Sequence, residues 1–401
     1  MDKDKILISG TGCALADFLY SNINFNSESF KKYLSEKPGD GGLSPGKLVF
    51  TNELEKFANN SYPSILKDIT GGREPDGINI GGPGLVPMIH VAQVLGRDDF
   101  DVRFFGGLGK DEIGLMIRSG AGNTPLDISG FLAASDKTSP FTDVFSDPLF
   151  NNSHGERTFI NNIGAASDYN PGMLPDNFFQ SDIVCFGGTA LVPLIHDNLT
   201  TLLKKGKRNN CVTVVNTVFD FRNEKANPLK PWPLVDNDNG YSLIDVLIMD
   251  LEESLKISGT SSSQDAFEYF SQKGISSFFI TNGAGDVIVF TDGRLFEKPV
   301  RNKFPVSRMV TEEIRKRGDT TGCGDNFAGG IIESIAIQRK IRKEKPMDMV
   351  HAVARGIAAG GFTCSYLGGT FTEKSMYEKR GRIVKFIEDY SNQLGKDGSD
   401  K

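Results

Sequence analysis

The chain has 401 residues, enough for one large domain or two modest ones, and its 45 Lys and Arg against 51 Asp and Glu give a net charge of −6. This acidic balance argues against a general binder of nucleic acid or of anionic membranes, because both partners require a basic surface. Hydrophobic residues make up 38% in short runs, none near the roughly 20 apolar residues of a membrane span, and the five cysteines form no CxxC pair.

Short apolar runs that read as strands recur along the whole chain. The first, at residues 5–10, follows the amino terminus with no signal-peptide pattern, so we expect a cytoplasmic protein. Further runs lie at 102–105, 182–186, 212–216, 246–249, 277–281 and 287–290. Continuous apolar runs of this length are typical of strands buried on both faces of a parallel sheet. Segments with helical spacing, such as 346–362, lie between them, and the alternation predicts a doubly wound α/β core.

Two regions fit this alternation poorly. Residues 22–79 are polar and punctuated by Gly and Pro, and residues 136–163 alternate like strands joined by turns. We predict that both regions leave the core and form a small lid over the functional site. Residues 1–391, with these two excursions, are expected to form one domain. The polar tail 392–401 is expected to be flexible.

The most informative segment is 318–336, GDTTGCGDNFAGGIIESIA. Three small residues, Gly322, Cys323 and Gly324, precede a helix that is predicted from apolar positions four residues apart. A Gly-rich turn at a helix N-terminus presents unpaired backbone N–H groups and the positive end of the helix dipole. Such a turn stabilises an anion, typically phosphate. Asp325 lies in the first turn of the helix, on the same rim.

The carboxylate of Asp325 is unsuited to holding a phosphate, but it can accept a proton from a hydroxyl group that attacks one. An anion-binding turn with a base beside it predicts phosphoryl transfer. The alternative interpretation is structural: Asp325 would cap the helix, and the glycines would make a tight turn.

The heptapeptide DTTGCGD, residues 319–325, resembles the DTxGAGD signature of the ribokinase/PfkB family of sugar and nucleoside kinases. Similar matches follow the family's order along nearly the whole chain: the first strand up to Asp17, Gly81-Gly82, FFGGLGKDEIG at 104–114, GERTFINNIGAA at 155–166, DLEE at 250–253 and Thr281-Asn282-Gly283. The resemblance implies a ribokinase-like α/β fold, with a mostly parallel sheet, helices on both faces and a small β lid. It also implies a kinase that uses ATP and magnesium to phosphorylate a primary alcohol.

The resemblance further implies roles for single residues on the acceptor side. Asp325 would be the catalytic base, and the N–H groups of Gly322, Cys323 and Gly324 would stabilise charge on the transferred phosphoryl group. The residues implied to contact the substrate are Asp17, Gly81, Gly82, Val86 and Arg157. Val86 stands where the family usually has an Asn. Arg157 either meets a carboxylate or hydroxyl of the substrate or is a solvated charge of a hairpin.

On the nucleotide side, the resemblance implies contacts from Asp250, Thr281, Gly283, Ala354, Ala358 and Gly361. Glu253 would help to organise magnesium through water, together with Asp250, which replaces the Asn of the family motif. Asp319 and Thr321 match positions that hold a monovalent cation, such as potassium, in part of the family. Residues 306–317 are a charged insert before the signature that is expected on the nucleotide side.

The sequence leaves the substrate open. The GERTF segment favours a sugar or sugar acid, which is our first prediction, whereas the long region 22–79 and the GCGD pairing favour an adenosine-like nucleoside kinase. A non-catalytic sugar- or nucleotide-binding protein of the same fold is a third hypothesis. We expect a small-molecule substrate and no nucleic acid or membrane partner. A homodimer through the lid or an edge strand stays open.

Overall fold

The apolar runs of the sequence form the strands of two sheets in a computed structural model that describes residues 5–37, 39–153, 155–311, 320–343 and 345–399. The strands are β1 Ile6–Gly12, β2 Leu15–Tyr20, β3 Leu48–Phe50, β4 Gly77–Gly81, β5 Phe100–Gly109, β6 Asp127–Ser135, β7 Phe141–Asp147, β8 Glu156–Asn162, β9 Ile183–Gly187, β10 Val212–Asn216, β11 Val246–Asp250, β12 Ser277–Thr281, β13 Val287–Thr291 and β14 Val300–Phe304.

The larger sheet has nine strands in the order β14-β13-β12-β11-β10-β9-β1-β5-β6. All neighbouring pairs from β12 to β6 are parallel, and only β13 and β14 are joined in antiparallel pairs. The chain passes from β1 to β5 on one side and returns to β9 on the other. Ligands of open α/β sheets bind beyond the carboxyl ends of the strands near such a reversal.

Helices connect these strands and cover both faces of the sheet. They span Glu28–Lys31, Thr51–Ala58, Tyr62–Thr70, Leu85–Leu95, Glu112–Gly122, Phe150–Ser153, Pro193–His196, Leu199–Arg208, Phe221–Ala226, Asp238–Tyr241, Leu251–Ser258, Ser263–Ser271, Cys323–Arg342, Met349–Thr363 and Glu378–Ser399. Alternate residues of one strand belong to separate cores, for example Cys185 and Phe186 of β9, because successive side chains point to opposite faces. The predicted fold, a mostly parallel sheet with helices on both faces, is confirmed.

A second, smaller sheet has five strands in the order β3-β8-β7-β2-β4. The region 22–79 contributes β3 and most of β4, the region 136–163 contributes β7 and β8, and β2 lies just before the first region. A separate apolar cluster joins this sheet to the helices Thr51–Ala58 and Tyr62–Thr70; Phe145 of β7 and Ile65 are fully buried there. One face of the small sheet is therefore covered by the chain's own helices.

The carboxyl end differs from the sequence expectation. The helix Glu378–Ser399 runs through most of the tail 392–401 that was expected to be flexible. Gln393 is buried, donates to the carbonyl of Val306 at 3.3 Å and accepts from the backbone N–H of Arg308 at 3.0 Å. These contacts hold the beginning of the tail against the 306–308 segment. Within the described ranges, no helix is both long and apolar enough to cross a membrane.

Candidate active site

A cavity of about 270 Å³ lies at the carboxyl ends of β10, β11 and β12, where the turn before the helix Cys323–Arg342 faces the sheet. Six of the residues proposed from the sequence line it together: Asp250, Glu253, Thr281, Gly322, Gly324 and Asp325. They come from three separate motifs. The fold thus brings the signature turn, the DLEE motif and the strand end at residue 281 to one place.

The backbone of the signature turn requires glycine. Gly322 is the N-cap of the helix and has a left-handed φ of 74°. A Cβ on Gly322 would lie 2.4 Å from the Cα of Gly369, so a side chain is excluded by contact as well as by conformation. A Cβ on Gly324 would meet nothing within 4 Å, and this residue faces the open cavity. The N–H of Cys323, the first residue of this 20-residue helix, donates to the carbonyl of Thr320 at 3.2 Å, whereas the N–H of Gly324, a residue that lines the cavity, is placed to reach an anion there.

Buried hydrogen bonds of Asn326 and Lys379 stabilise the backbone of the signature turn. The side-chain amide of Asn326 donates to the carbonyls of Gly322 at 2.9 Å and Gly369 at 2.8 Å. The ammonium group of Lys379 donates to the amide oxygen of Asn326 at 2.8 Å and is 1% exposed. Burial lowers the pKa of Lys379 to about 7, although the carboxylates of Glu373 and Glu333 oppose the fall. The carboxyl-terminal helix thus fixes the amide that orients the turn.

Two buried carboxyl groups, those of Asp325 and Asp17, interact electrostatically. Burial alone raises the pKa of Asp325 to about 7. Burial and the charge of Asp325 raise the pKa of Asp17 to about 7, against the hydrogen bond from Thr142. The electrostatic effect of Asp325 on Asp17 requires that the two groups lie close together. A Cβ on Gly81 would lie 2.1 Å from Oδ2 of Asp17, so Gly81 leaves the space that this carboxyl group occupies.

Asp250 and Glu253 form the start of the helix Leu251–Ser258. The side chain of Asp250 accepts from the N–H of Glu253 at 2.7 Å, and Glu253 accepts from the N–H of Asp250 at 3.1 Å, a capping box. Glu253 also accepts a hydrogen bond from Thr217. Burial and the neighbouring Asp250 raise the pKa of Glu253 above its ordinary value. No group of three His, Cys, Asp or Glu side chains among the described residues is arranged to hold a metal directly.

Arg157 joins the small sheet to the signature turn. It lies on β8 and donates a hydrogen bond to the hydroxyl of Thr321, the residue before Gly322. A positive charge from the lid is thus held beside the anion-binding turn. Asp319, the other residue predicted to hold a monovalent cation, lies outside the described residues, as do residues 312–317 of the charged insert.

Other residues proposed from the sequence do not line the cavity. Val86 is buried, and a Cβ on Gly369 would lie 3.2 Å from its Cγ2, so Val86 packs beside Gly369; its predicted contact with a substrate stays a prediction. Ala354 and Ala358 are buried. The space beside Gly361 is filled by Val310 of the insert, whose Cγ2 would lie 1.9 Å from an added Cβ.

Two further residues of the original set lie near the cavity without lining it. Gly283 is in the exposed turn after β12, with a left-handed φ of 52°. Gly82 has a φ of 102°, and a Cβ there would lie 2.6 Å from the carbonyl oxygen of Cys13. Gly82 therefore shapes the backbone of the loop that ends β4, and it allows that loop to pack on the segment before Asp17.

The sequence analysis missed Asn216, Thr217, Asn326 and Lys379. Asn216 and Thr217 line the cavity at the end of β10, and Asn216 donates to the carbonyl of Pro83 at 2.8 Å. The rule that polar residues at the ends of parallel strands meet at one edge would have found both of these residues. Lys379 had no such signal, because it is one of several charges in EKRGR at 378–382.

The comparisons with known proteins agree with this geometry. A family model described as pfkB family carbohydrate kinase matches residues 79–376. A search of curated proteins finds no match.

Solved structures give strong matches over nearly the whole chain. An adenosine kinase from Schistosoma mansoni in complex with 2-fluoroadenosine has a TM-score of 0.66 at 15% identity, covering 91% of this chain and 97% of that one. A probable sugar kinase from Rhizobium etli has a TM-score of 0.66 at 14% identity, covering 96% and 99%. A ribokinase from Arabidopsis thaliana complexed with ribose and ATP has a TM-score of 0.61 at 15% identity, covering 96% and 98%. At these identities the likeness shows the ribokinase-like fold.

Proposed function

Because this chain belongs to the pfkB family of carbohydrate kinases, phosphotransferases with an alcohol group as acceptor, we propose that it transfers a phosphoryl group from ATP to a primary alcohol of a sugar or sugar acid. The observation that carries the proposal is the position of Asp325. Its carboxyl group shares one cavity with the Gly322–Gly324 turn and lies close enough to Asp17 for the two charges to interact.

Asp325 is the proposed base. A general base works best when its pKa is near the working pH, and burial raises the pKa of Asp325 to about 7. Asp17 accepts hydrogen bonds from substrate hydroxyls and holds the attacking CH₂–OH toward Asp325. The proton moves from that hydroxyl to the carboxylate late in the transfer, because the transition state of phosphoryl transfer is loose.

The turn at residues 322–324 is the proposed anion hole. Its N–H groups are fixed before the reaction by the left-handed Gly322 and by the Asn326 amide, so little reorganisation is needed when charge develops. Arg157 adds a positive charge from the lid at Thr321. This contact supports a closed lid that excludes water from the reacting groups.

The nucleotide is proposed to enter from the side of Thr281, with its phosphates in the cavity. A volume of about 270 Å³ is at the lower end for a small-ligand site, so the cavity suits the triphosphate more than a whole nucleotide. Magnesium, when bound, neutralises phosphate charge, and Glu253 with Asp250 would hold it through water, since this ion retains several waters in most sites. Thr321, with Asp319, is proposed for a monovalent cation.

An adenosine-like nucleoside kinase is the second candidate. Adenosine kinases are among the similar structures, and they match as well as a sugar kinase does.

The helices that cover one face of the small sheet keep that face from pairing with a second copy, so we propose that any homodimer uses another surface.

The test is release of ADP with Mg-ATP and potassium across a panel of sugars, sugar acids and nucleosides, with Asp325→Asn as the blank. Turnover on a sugar or sugar acid is the expected result. Turnover on nucleosides alone would overturn the acceptor and keep the mechanism. If no acceptor in the panel gives ADP release while ATP binding is retained, the result would favour the non-catalytic hypothesis.

A further inference from the structure

Two cysteines meet at the signature turn. Cys323 is the first residue of the helix Cys323–Arg342, and Cys364 follows the helix Met349–Thr363. Both are thiols, and their sulfur atoms are 3.4 Å apart. Cys323 is partly exposed at the rim of the cavity, between two glycines that line it, whereas Cys364 is 2% exposed. An accessible thiol and a buried thiol thus lie in contact at the candidate anion hole.

We propose that Cys323 and Cys364 are a modification site, a dithiol that a hydroperoxide oxidises to an intramolecular disulfide, and that this bond stops phosphoryl transfer. The effect on transfer rests on the proposed function, whereas the formation of the bond does not. In the first step the thiolate of Cys323 attacks the terminal oxygen of the hydroperoxide and breaks the O–O bond, which gives the sulfenic acid and releases the alkoxide, or hydroxide where the oxidant is hydrogen peroxide. In the second step the Cys364 thiol, losing its proton, displaces the sulfenic oxygen as water and forms the S–S bond.

Cys323 is the thiol that reacts first because of its surroundings. A thiolate at a helix N-terminus is stabilised by the same N–H groups that hold an anion. Cys13 and Cys185 differ, since burial raises the pKa of each thiol well above its ordinary value. Cys364, buried behind Cys323, is reached by the oxidant only through its neighbour. The order of the two steps follows from this difference in access.

Formation of the disulfide requires the two sulfur atoms to approach each other. The backbone of the turn has room for this movement, and the two packed helices do not. A disulfide brings the sulfur atoms to about 2.05 Å, so they must approach by more than 1 Å. The two helices are already in close contact, because a Cβ on Gly330 would lie 2.4 Å from the carbonyl oxygen of Arg355. Gly324, in contrast, has open space around it. The strain therefore falls on the turn, where the N–H of Cys323 donates to the carbonyl of Thr320 at 3.2 Å and Asp325 is two residues away.

The experiment uses the full-length protein treated with hydrogen peroxide and then with dithiothreitol. Peptide mapping of the oxidised wild type should show a linked pair containing Cys323 and Cys364. Phosphoryl transfer should fall by about 100-fold, the loss expected for a shift near 1 Å, and should return on reduction. Cys364→Ser should start at wild-type activity and form no linked pair in peroxide, with Cys323 found as the sulfenic or sulfinic acid, and Cys211→Ser, which removes a distant buried thiol, should behave as the wild type.

Three outcomes overturn the proposal. One is the absence of the linked peptide pair in the oxidised wild type. Another is an equal loss of activity in Cys364→Ser while the peptide map shows its Cys323 unmodified, which would assign the damage to a different group. The third is a linked pair in a protein that keeps its activity. If no acceptor in the panel is phosphorylated, the proposed function fails, and the peptide map still decides whether the disulfide forms.

Discussion

Two carboxyl groups on the helix Cys323–Arg342 have opposite electrostatic environments. Asp325 lies at its first turn, where burial alone raises the pKa to about 7. Glu333 lies about two turns further along and is fully buried. Burial would raise its pKa too, but the hydrogen bond from His90 and the charge of Arg355 outweigh this, so the pKa of Glu333 is lowered. Within the described part of the chain, no cation offsets the burial of Asp325, whereas Glu333 is paired with Arg355.

The difference is the one expected between a group that takes up a proton in a reaction, as proposed for Asp325, and a group that stabilises the fold. An ionised carboxylate is costly to bury unless it is paired, so the surroundings of Asp325 favour the transfer of a proton onto it. Glu333 accepts from Arg355 and contacts Nε2 of His90 at 3.3 Å. It has no such tendency to take up a proton. Removing the charge of Asp325 is therefore expected to affect turnover, and removing the charge of Glu333 is expected to affect stability.

The largest expected effect is on catalysis. Asp325→Asn should lower turnover by about 10²–10⁴-fold while ATP binding is kept, because the substitution removes the base and little volume. Turnover is measured as ADP release and binding by titration calorimetry. Asp136→Asn, whose side chain is 94% exposed, is the matched control and should be indistinguishable from the wild type. Activity of Asp325→Asn within a few-fold of the wild type would remove this residue from the role of base.

The next largest effect is on stability. Glu333→Gln should lower the free energy of unfolding by about 3–5 kcal/mol, because it leaves the Arg355 charge without its buried partner. Activity per folded molecule should change little. Denaturant unfolding of this variant is compared with Glu28→Gln, the same change at a side chain that is 93% exposed. Equal stability of the two variants would contradict the view that Glu333 holds the fold.

Lys379 connects the two environments, since its ammonium group bonds Asn326 behind the turn and interacts with Glu333. Lys379→Met should lower the free energy of unfolding by about 1–3 kcal/mol, because the amide oxygen of Asn326 loses its buried donor. It should also lower kcat more than it raises KM, through a less well-oriented turn. Lys385→Met, exposed on the same helix, is the control. A loss of stability with an unchanged kcat would confine Lys379 to a structural role.

The smallest effect is in pH dependence. Because the base must be deprotonated, kcat/KM should rise with pH up to about 7 and then level off, with a fall of about tenfold per pH unit below that range. The free energy of unfolding depends on pH in the opposite direction, since it falls as pH rises. The pKa of Asp325 is higher in the folded state than its ordinary value near 4, so ionisation destabilises the fold as pH rises from about 4 to about 7, and the full loss is present above 7. The Tm of Asp325→Asn should therefore exceed that of the wild type at pH 8, by a difference that shrinks as pH falls and disappears below about pH 4.

Much of the fold could be predicted from the sequence, because the central strands are continuous apolar runs and the signature turn has a distinct composition. The site was predictable where one motif supplies both the backbone and the chemistry, as at Gly322 and Asp325. Contacts between residues that are distant in sequence could not be predicted. Val86 matches a substrate position in the motif order, yet it packs against Gly369, a residue distant in sequence. Gly361 is covered by Val310 for the same reason.

The helix Glu378–Ser399 extends past residue 376, where the family match ends. Its Lys379 nevertheless reaches the amide that orients the signature turn. A protease cut or stop codon just after Met376 would spare every motif of the family and remove this support. If the proposed function holds, sequence variation in this helix is expected to alter turnover without changing a motif residue.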